Sequence, residues 1–317
     1  MDKKSNKLAI AVDIGGTNLR VAVVDKKGKI IAKNISRTAH QGKSGKVIAK
    51  QVIEEIKKLT YKTKFWKRVK GIGVSVAGPI SYKCGAIIAP PNMNFKFVPI
   101  VAPLEKAFKM PVYIINDGNA GALGEKYFGT GKKFGSLVYI TISSGIGGGA
   151  IVNNNLLLGK DGNAAEIGHI TVDTEYNLFC NCEKGRGHWE VYASGNNIPK
   201  FFRVWAKKNN LETKFSSAAK DIFEAARKKN KNVLRFMEEL GKINGRGISN
   251  VIAAYDPEII IFGGAVALNN SDLLLKYAKK NIDKFLRLPM IKISALFENA
   301  PLLGAAAMIF NYPQKRS

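Results

Sequence analysis

The stretch from Leu8 to Arg20 reads LAIAVDIGGTNLR, an apolar run that ends in an acid, two glycines and a threonine. The run predicts a buried strand over Leu8–Ile14, and the residues after the glycines predict a second strand. Gly15-Gly16 permits a tight turn whose N–H groups meet an anion without an intervening Cβ, and Thr17 adds a hydroxyl donor. We therefore predict a phosphate-binding turn, with Asp13 placed to orient a hydrated Mg²⁺. A plain glycine hairpin turn is the alternative.

Strands and helices alternate along the chain, which indicates an α/β architecture. Up to the strand that ends at Ile115, the predicted order is strand, strand, strand, helix, strand, helix, strand, as expected for one sheet that carries helices. The remainder starts again with two strands around a glycine cluster and continues with an irregular polar segment and several helices. We predict later helices over Asp272–Phe285 and Pro301–Phe310, and a boundary between the two parts near Asp117.

A second glycine-rich loop, Ser143 to Ala150, follows another predicted strand. It matches the GxGxxA spacing of a dinucleotide-binding turn, but the residues after it predict a strand and a turn instead of the required helix. We therefore predict a second backbone cradle for phosphates, in which Ser144 and Gly145 take part.

Asn116 and Asp117 directly follow the predicted strand Val112–Ile115. Ligands of open α/β sheets bind at the carboxyl ends of the strands. Asp117 could therefore take a proton from a substrate hydroxyl, and Asn116 could bond a neighbouring hydroxyl. The alternative is that Asp117 serves only as the N-cap of the helix that follows.

Two of the three histidines and two of the three cysteines fall within one short window: His169, Cys180, Cys182 and His188. Four such ligands suit tetrahedral Zn²⁺. Because the protein fills all four positions, the site is predicted to be structural and to stabilise an otherwise irregular segment. The alternative is a set of buried thiols and histidines without metal. Glu166 and Glu190 flank the window, where a zinc-stiffened loop would hold their carboxylates as acceptors for a polyol.

The composition is that of a globular protein, with 46% hydrophobic and 23% charged residues among 317. No apolar run approaches the ~20 residues that a membrane-spanning helix needs. Three cysteines exclude a disulfide framework, so a cytoplasmic protein is predicted. Fifty Lys and Arg against 24 Asp and Glu give a net charge of +26, which attracts polyanions. The basic residues are spread along the chain without a nucleic-acid motif, so we interpret them as a solvated surface.

The motifs Asp13-x-Gly-Gly-Thr-x-x-Arg20, Asn116-Asp117, Glu166-Ile-Gly-His169 and the segment from Cys180 to Glu190 together resemble the ROK family of sugar kinases and repressors. Their order and spacing are similar to the glucokinase branch of bacteria and archaea, and the resemblance covers nearly the whole chain. One difference is that His188 stands where the family usually has a third cysteine. The resemblance implies an α/β fold with two lobes, the actin-like hexokinase fold related to ribonuclease H, with a ligand cleft between the lobes.

The resemblance also implies how the chain divides and which residues act. A small lobe would comprise residues 1–116, with the helix of residues 301–317 packing back on it, and a large lobe of residues 117–300 would carry the zinc loop. Asp117 would be the catalytic base. The implied nucleotide contacts are Asp13, Gly15, Gly16, Thr17, Ser144, Gly145, Gly263 and Gly264. The implied sugar contacts are Asn92, Asn116, Asp117, Glu166, His169 and Glu190, and the implied zinc ligands are His169, Cys180, Cys182 and His188.

From this resemblance we expect ATP- and Mg²⁺-dependent phosphorylation of a hexose, foremost of glucose at O6, by a homodimer or a higher homo-oligomer. N-acetylmannosamine or fructose as the acceptor stays open, and so does polyphosphate as the donor. A sugar-responsive repressor of the same family is a further alternative. It is disfavoured because the turn at Asp13 leaves no room for a preceding helix-turn-helix. We expect no specific nucleic-acid partner and no membrane partner.

Overall fold

The structure of the protein, a computed structural model, describes residues 7–42, 44–60, 65–89, 95–212 and 218–311. The described residues of Met1–Phe134, Gly149–Ala164 and Asn299–Ser317 form a first compact unit. Those of Gly135–Gly148 and Ala165–Glu298 form a second. Each unit contains parallel strands and helices, so the predicted α/β fold class is confirmed.

The elements follow the chain in an order close to the predicted one. Up to Phe128 they are β1 (Leu8–Ile14), β2 (Asn18–Asp25), β3 (Ile30–Arg37), α1 (Lys46–Thr60), β4 (Val69–Val76), β5 (Ile80–Ser81), β6 (Ala86–Ile88), β7 (Phe97–Pro99), α2 (Val101–Phe108), β8 (Val112–Asn116) and α3 (Asp117–Phe128). The later elements are β9 (Leu137–Ile142), β10 (Ile146–Val152), β11 (Asn155–Leu156), α4 (Trp189–Ala193), α5 (Ile198–Lys208), α6 (Ala219–Arg227), α7 (Lys231–Tyr255), β12 (Ile259–Gly263), α8 (Ala265–Lys279), β13 (Met290–Ile293) and α9 (Ala300–Phe310).

The first sheet has the strand order β3-β2-β1-β4-β8, with β1 in the centre and buried along its whole length. β1, β4 and β8 run parallel, and their register pairs Asp13 with Ser75 and Val76 with Asn116. β2 and β3 are antiparallel neighbours joined to β1 through the turn at Gly15. The carboxyl ends of three parallel strands therefore lie at one edge of the sheet. β5, β6 and β7 form a separate small sheet.

α9 returns from the end of the chain to cover this sheet and contacts α3, β1 and β4. The two helices α3 and α9 approach very closely, because a Cβ on Gly124 would overlap the carbonyl of Ala300 and one on Gly304 would overlap the carbonyl of Ala120. α3 therefore belongs to the first unit in the structure, whereas the sequence-based boundary lay near Asp117 and assigned this helix to the second part.

The second sheet has the order β11-β10-β9-β12-β13. β12 is buried and runs parallel to both β9 and β13. Its register pairs Phe262 with Ile140 and Gly263 with Thr141. The carboxyl ends of β9 and β12 are therefore neighbours, and each leads directly into a glycine-containing segment.

The predicted helix over Asp272–Phe285 is wrong in its bounds, because α8 spans Ala265–Lys279. Gly264 has a φ of 82°, which turns the chain from β12 straight into the helix. The polar residues in the middle of α8 resemble a helix start in the sequence. In the structure, Asn270 has a non-helical φ of −135°, and its Nδ2 donates to the carbonyl of Val266 at 3.0 Å. A kink therefore stands where a helix start was predicted.

Within the described ranges, no helix combines the length and the apolar character needed to cross a membrane.

The close crossing of α3 and α9 gives a stability prediction for Gly304→Ala. The added methyl group has no space against the carbonyl of Ala120, so the helices must move apart. We expect the free energy of unfolding to fall by about 1–3 kcal/mol, although alanine alone would favour the helix by about 1 kcal/mol. Urea denaturation measures the change. A variant as stable as the unmodified protein would contradict the close approach.

Candidate functional site

The turn after β1 is held in one shape by hydrogen bonds within the first unit. The N–H of Gly15 donates to the carbonyl of Asn18 at 2.9 Å. The hydroxyl of Thr38 donates to the carbonyl of Gly15 at 2.7 Å, and its N–H donates to the carbonyl of Thr17 at 3.0 Å. Within the described part of the chain, the N–H groups of Gly16 and Thr17 meet no protein acceptor. The turn therefore presents two backbone N–H groups that can donate hydrogen bonds to an anion.

Asp13 lies beside this turn with a carboxylate that is only 6% exposed. Its Oδ1 accepts from the hydroxyl of Ser75 at 2.9 Å, and its Oδ2 accepts from Nη1 of Arg20 at 3.0 Å. The three residues form one row across β2, β1 and β4, because the register pairs Asp13 with both partners. The row fixes the position of a negative charge at the end of β1.

Asn116 and Asp117 have different roles at the start of α3. Asn116 is the N-cap, and its Oδ1 accepts from the N–H of Gly118 at 2.8 Å and from that of Asn119 at 3.5 Å. Asp117 is the first helical residue, is partly exposed, and accepts from the N–H of Gly118 at 2.9 Å. The alternative in which Asp117 is only the N-cap is therefore wrong. Since β1 and β8 are separated by one strand, Asp117 lies about 10 Å along the sheet edge from the turn at Gly15.

The predicted metal cluster is brought together in the second unit, with one ligand atom of each residue within 4.8 Å of the others: His169, Cys180, Cys182 and His188. Nδ1 of His169 lies 3.3 Å from Nδ1 of His188, and Nδ1 of His188 lies 3.6 Å from Sγ of Cys182. A tetrahedral zinc ion separates two nitrogens by about 3.3 Å and a nitrogen from a sulfur by about 3.6 Å. The distance of 3.9 Å between Sγ of Cys180 and Nδ1 of His169 is slightly longer. The donor set therefore fits Zn²⁺.

Burial also shifts the protonation of these groups. It raises the pKa of the Cys180 thiol to about 11; the backbone N–H of Cys182 opposes this shift, and the side chains of Cys182 and Glu190 add to it. Burial lowers the pKa of His188, the imidazole of His169 lowers it further, and the charge of Glu190 opposes the shift. The neutral imidazole is the form that binds a metal, and a bound cation would offset the cost of forming a thiolate.

Two further predicted residues, Glu166 and Glu190, flank the cluster in the sequence. Burial raises the pKa of Glu166, the imidazole of His169 opposes this shift, and the charge of Glu190 adds to it. Because Nδ1 of His169 faces the cluster, Nε2 points out of it. Glu190, in the first turn of α4, also reaches the second glycine loop, where its Oε2 accepts from the N–H of Ile146 at 2.8 Å.

The second glycine loop is attached to the chain that follows α4. The N–H of Ser143 donates to the carbonyl of Gly145 at 2.9 Å, which closes the loop. The N–H of Gly195 donates to the carbonyl of Ser143 at 2.7 Å, and that of Asn196 donates to the carbonyl of Ser144 at 3.3 Å. The predicted strand after the loop is β10, so a strand and not a dinucleotide-binding helix follows the loop. The role of the loop as a phosphate cradle stays a prediction.

Gly263 is the last residue of β12, the strand that pairs with β9, and Gly264 follows it. A Cβ on Gly263 would overlap the hydroxyl of Tyr139, and one on Gly264 would come within 2.5 Å of the carbonyl of Ile142. α8 begins directly afterwards, so its N-terminal N–H groups and the positive end of its dipole lie beside the loop after β9. This helix start was missed in the sequence.

The structure thus collects the candidate residues into two groups, one in each unit. The first unit holds Asp13, Gly15, Gly16, Thr17, Asn116 and Asp117. The second holds Ser144, Gly145, Glu166, His169, Cys180, Cys182, His188, Glu190, Gly263 and Gly264. Asn92 lies outside the described residues. Thr38 and Ser75 were missed because their contacts depend on strand register, which no local motif encodes.

Known proteins match this chain over nearly its whole length. A sequence model of the ROK family matches residues 9–311. The chain is 32% identical over 307 residues to a glucokinase of Pyrobaculum calidifontis, and the match covers 96% of each protein. A glucokinase of Thermotoga maritima is also 32% identical, over 95% of this chain and 96% of its own length. A crystal structure of a ROK family glucokinase from Streptomyces griseus in complex with glucose and AMPPNP has a TM-score of 0.77 and 28% identity, and covers 95% of this chain and 98% of that one.

The bonds of Thr38 to the turn lead to a prediction for Thr38→Val. The variant keeps the shape of the side chain but removes the donor to the carbonyl of Gly15. We expect the free energy of unfolding to fall by about 1 kcal/mol, as measured by urea denaturation. Thr38→Ser is the matched control, since it keeps the hydroxyl. Equal stability of the Val and Ser variants would show that this bond does not hold the turn.

Proposed function

The chain belongs to the ROK family, and we propose that it is a kinase that transfers the γ-phosphoryl group of ATP to O6 of glucose. Near full-length similarity to glucokinases supports this proposal. The single observation that carries it is the common sheet edge of the first unit, where the anion-binding turn and the carboxylate of Asp117 lie two strands apart. Two strand spacings amount to about 10 Å, which leaves room for a terminal phosphoryl group and an acceptor hydroxyl between the turn and the carboxylate.

In the proposed mechanism, Asp117 accepts the proton of the O6 hydroxyl while that oxygen attacks the γ-phosphorus. The bond between phosphorus and the bridging oxygen breaks, and ADP leaves with the electron pair. The free N–H groups of Gly16 and Thr17 and the glycine loops of the second unit stabilise the charge of the phosphates. Asp13, held in place by Ser75, would orient the water shell of Mg²⁺ bound with the nucleotide, and this ion would neutralise phosphate charge.

The sugar is proposed to be bound by carboxylates and by a histidine of the second unit. Glu166 and Glu190 supply acceptors for hydroxyl groups, and Nε2 of His169 supplies a further polar contact on the side of the ring away from the cluster. Asn116 contributes through its amide group, and Asn92 contributes from a segment outside the described residues. Acceptors at fixed positions select hydroxyl patterns, so these residues would determine which hexose is preferred.

We also propose that the four-residue cluster binds one structural Zn²⁺ per chain. The two interatomic distances that match a tetrahedron support this. The metal would tie the irregular segment between His169 and His188 to α4 and so hold Glu190 and His169 in place. Reduced thiols and an ATP supply are both properties of the cytoplasm, where we propose that the enzyme works, as a homodimer or a higher homo-oligomer.

A coupled assay tests the function and the role of Asp117 together. We expect turnover with glucose and ATP to exceed that with N-acetylmannosamine, fructose or polyphosphate. Asp117→Asn should lower kcat by about 10²-fold or more with an unchanged circular dichroism spectrum. Asp161→Asn, which changes an exposed carboxylate of the same unit, is the control and should leave kcat unchanged. Near-normal turnover of Asp117→Asn would refute the base, and specific DNA binding without kinase activity would refute the function.

The zinc proposal predicts that the purified protein carries about one zinc per chain by elemental analysis. Cys182→Ala should lose the metal and show a lower melting temperature, because the irregular segment loses its cross-link. Cys84→Ala is the matched control, since Cys84 is exposed and outside the cluster. Metal-free protein that melts at the same temperature as the metal-bound form would contradict a structural role.

A further inference from the structure

Glu190 stands between the metal cluster and the second glycine loop. It lies two residues after His188, and its Oε2 accepts from the N–H of Ile146 at 2.8 Å. A Cβ on Gly145 would come within 2.5 Å of the same oxygen. The carboxylate therefore packs directly against two consecutive residues of the loop. Ile146 is only 4% exposed, so its N–H would have no water to replace this acceptor.

The backbone after α4 holds the other end of the same loop. Gly195 and Asn196 donate to the carbonyls of Ser143 and Ser144 at 2.7 and 3.3 Å. The loop is thus attached to one continuous segment at both ends, through a side chain at Glu190 and through the main chain five and six residues later. A displacement of this segment would displace the whole loop.

The segment itself is firmly anchored in the second unit. Trp189 is fully buried, and its Nε1 donates to Oδ1 of Asn244 in α7 at 2.9 Å. Its N–H donates to the carbonyl of Ile170 at 3.0 Å, next to the cluster residue His169. Asn197, which is 1% exposed, donates from Nδ2 to the carbonyl of Glu190 at 3.2 Å. Glu190 therefore reaches the loop from a fixed backbone.

We infer that Glu190 is a positioning residue for the nucleotide loop of residues 143–146, in addition to a contact for the sugar. One carboxylate oxygen holds the loop through the N–H of Ile146, and the other is left for a sugar hydroxyl. The inference rests on the proposed function, since it assigns the loop to nucleotide phosphates. It also means that the N–H of Ile146 is not one of the phosphate donors, because a carboxylate already occupies it. The described hydrogen bonds between the loop of residues 143–146 and the chain after His188 involve Glu190, Gly195 and Asn196, and Glu166 is not among the partners of the loop.

Calorimetric titration of the metal-bound protein with MgADP, in the absence of sugar, tests this inference. Glu190→Ala should weaken MgADP binding about tenfold, because a charge-assisted bond that shapes the loop is lost. Glu190→Gln should retain MgADP binding, since its amide oxygen still accepts from Ile146, while it weakens glucose binding. Glu166→Ala is the matched control, and it should weaken glucose binding without changing that of MgADP. Zinc content is measured for every variant, so that a loss of the cluster is recognised.

A reciprocal experiment approaches the same contact from the loop and does not depend on the folding of Glu190→Ala. Gly145→Ala should displace the carboxylate and so weaken glucose binding, although residue 145 belongs to the nucleotide loop. Gly147→Ala is its control, since the new methyl group would meet only Cγ2 of Thr141 at 3.3 Å.

The outcomes separate the inference from the proposed function. Unchanged MgADP binding by Glu190→Ala, or an equal loss in Glu166→Ala, would overturn the positioning role. So would unchanged glucose binding by Gly145→Ala. Unmodified protein that binds neither MgADP nor glucose would instead contradict the proposed function itself.

Discussion

Parallel pairing of β1, β4 and β8 is the constraint on which the proposed chemistry of the first unit depends. Because the three strands point the same way, the residues that follow each of them meet at one edge of the sheet. The turn at Gly15 and the pair Asn116-Asp117 are a hundred residues apart in the chain and two strands apart in space. A change of register by one residue would turn Asp13 away from Ser75, and the turn and the pair Asn116-Asp117 would no longer lie together at the sheet edge. β9 and β12 repeat the same principle in the second unit, where they bring the loop at Ser144 beside Gly264.

The segment between β11 and α4 obeys a different principle, since it has little regular structure. Its only regular elements are one turn of 3₁₀-helix and two isolated β-bridges. In this segment, side-chain hydrogen bonds provide the fixed contacts that backbone pairing provides in a sheet. Asp173 is 4% exposed and accepts from the N–H groups of Tyr176 and Asn177 and from the hydroxyl of Tyr192. These hydrogen bonds, together with the close approach of His169, Cys180, Cys182 and His188, fix a polar segment that has little regular structure.

The sequence predicted those features that depend on residues close together in the chain. The apolar run before Gly15, the acid and amide after β8 and the spacing of the cluster residues were all visible in the sequence, because each is a chemical requirement met within a few residues. The start of α8 was not, since polar residues around Asn270 resemble a helix start and only the fold shows that the helix continues through them. The support of Thr38 for the turn and the contact of Glu190 with Ile146 were also invisible. Both arise from partners brought together by register or by distant packing, which a single sequence does not encode in any one place.

The return of α9 to the first unit has a consequence for how the protein is made. α3 ends at Phe128, but the helix against which its glycine face fits begins only at Ala300. A ribosome that adds ~5–20 residues per second needs on the order of ten seconds or more to synthesise the chain between them. During that interval the second unit can fold, while the apolar face of the first unit that α9 covers stays exposed. Synthesis up to α3 is therefore not enough to complete the core of the first unit, and the nascent chain is exposed to aggregation until α9 emerges.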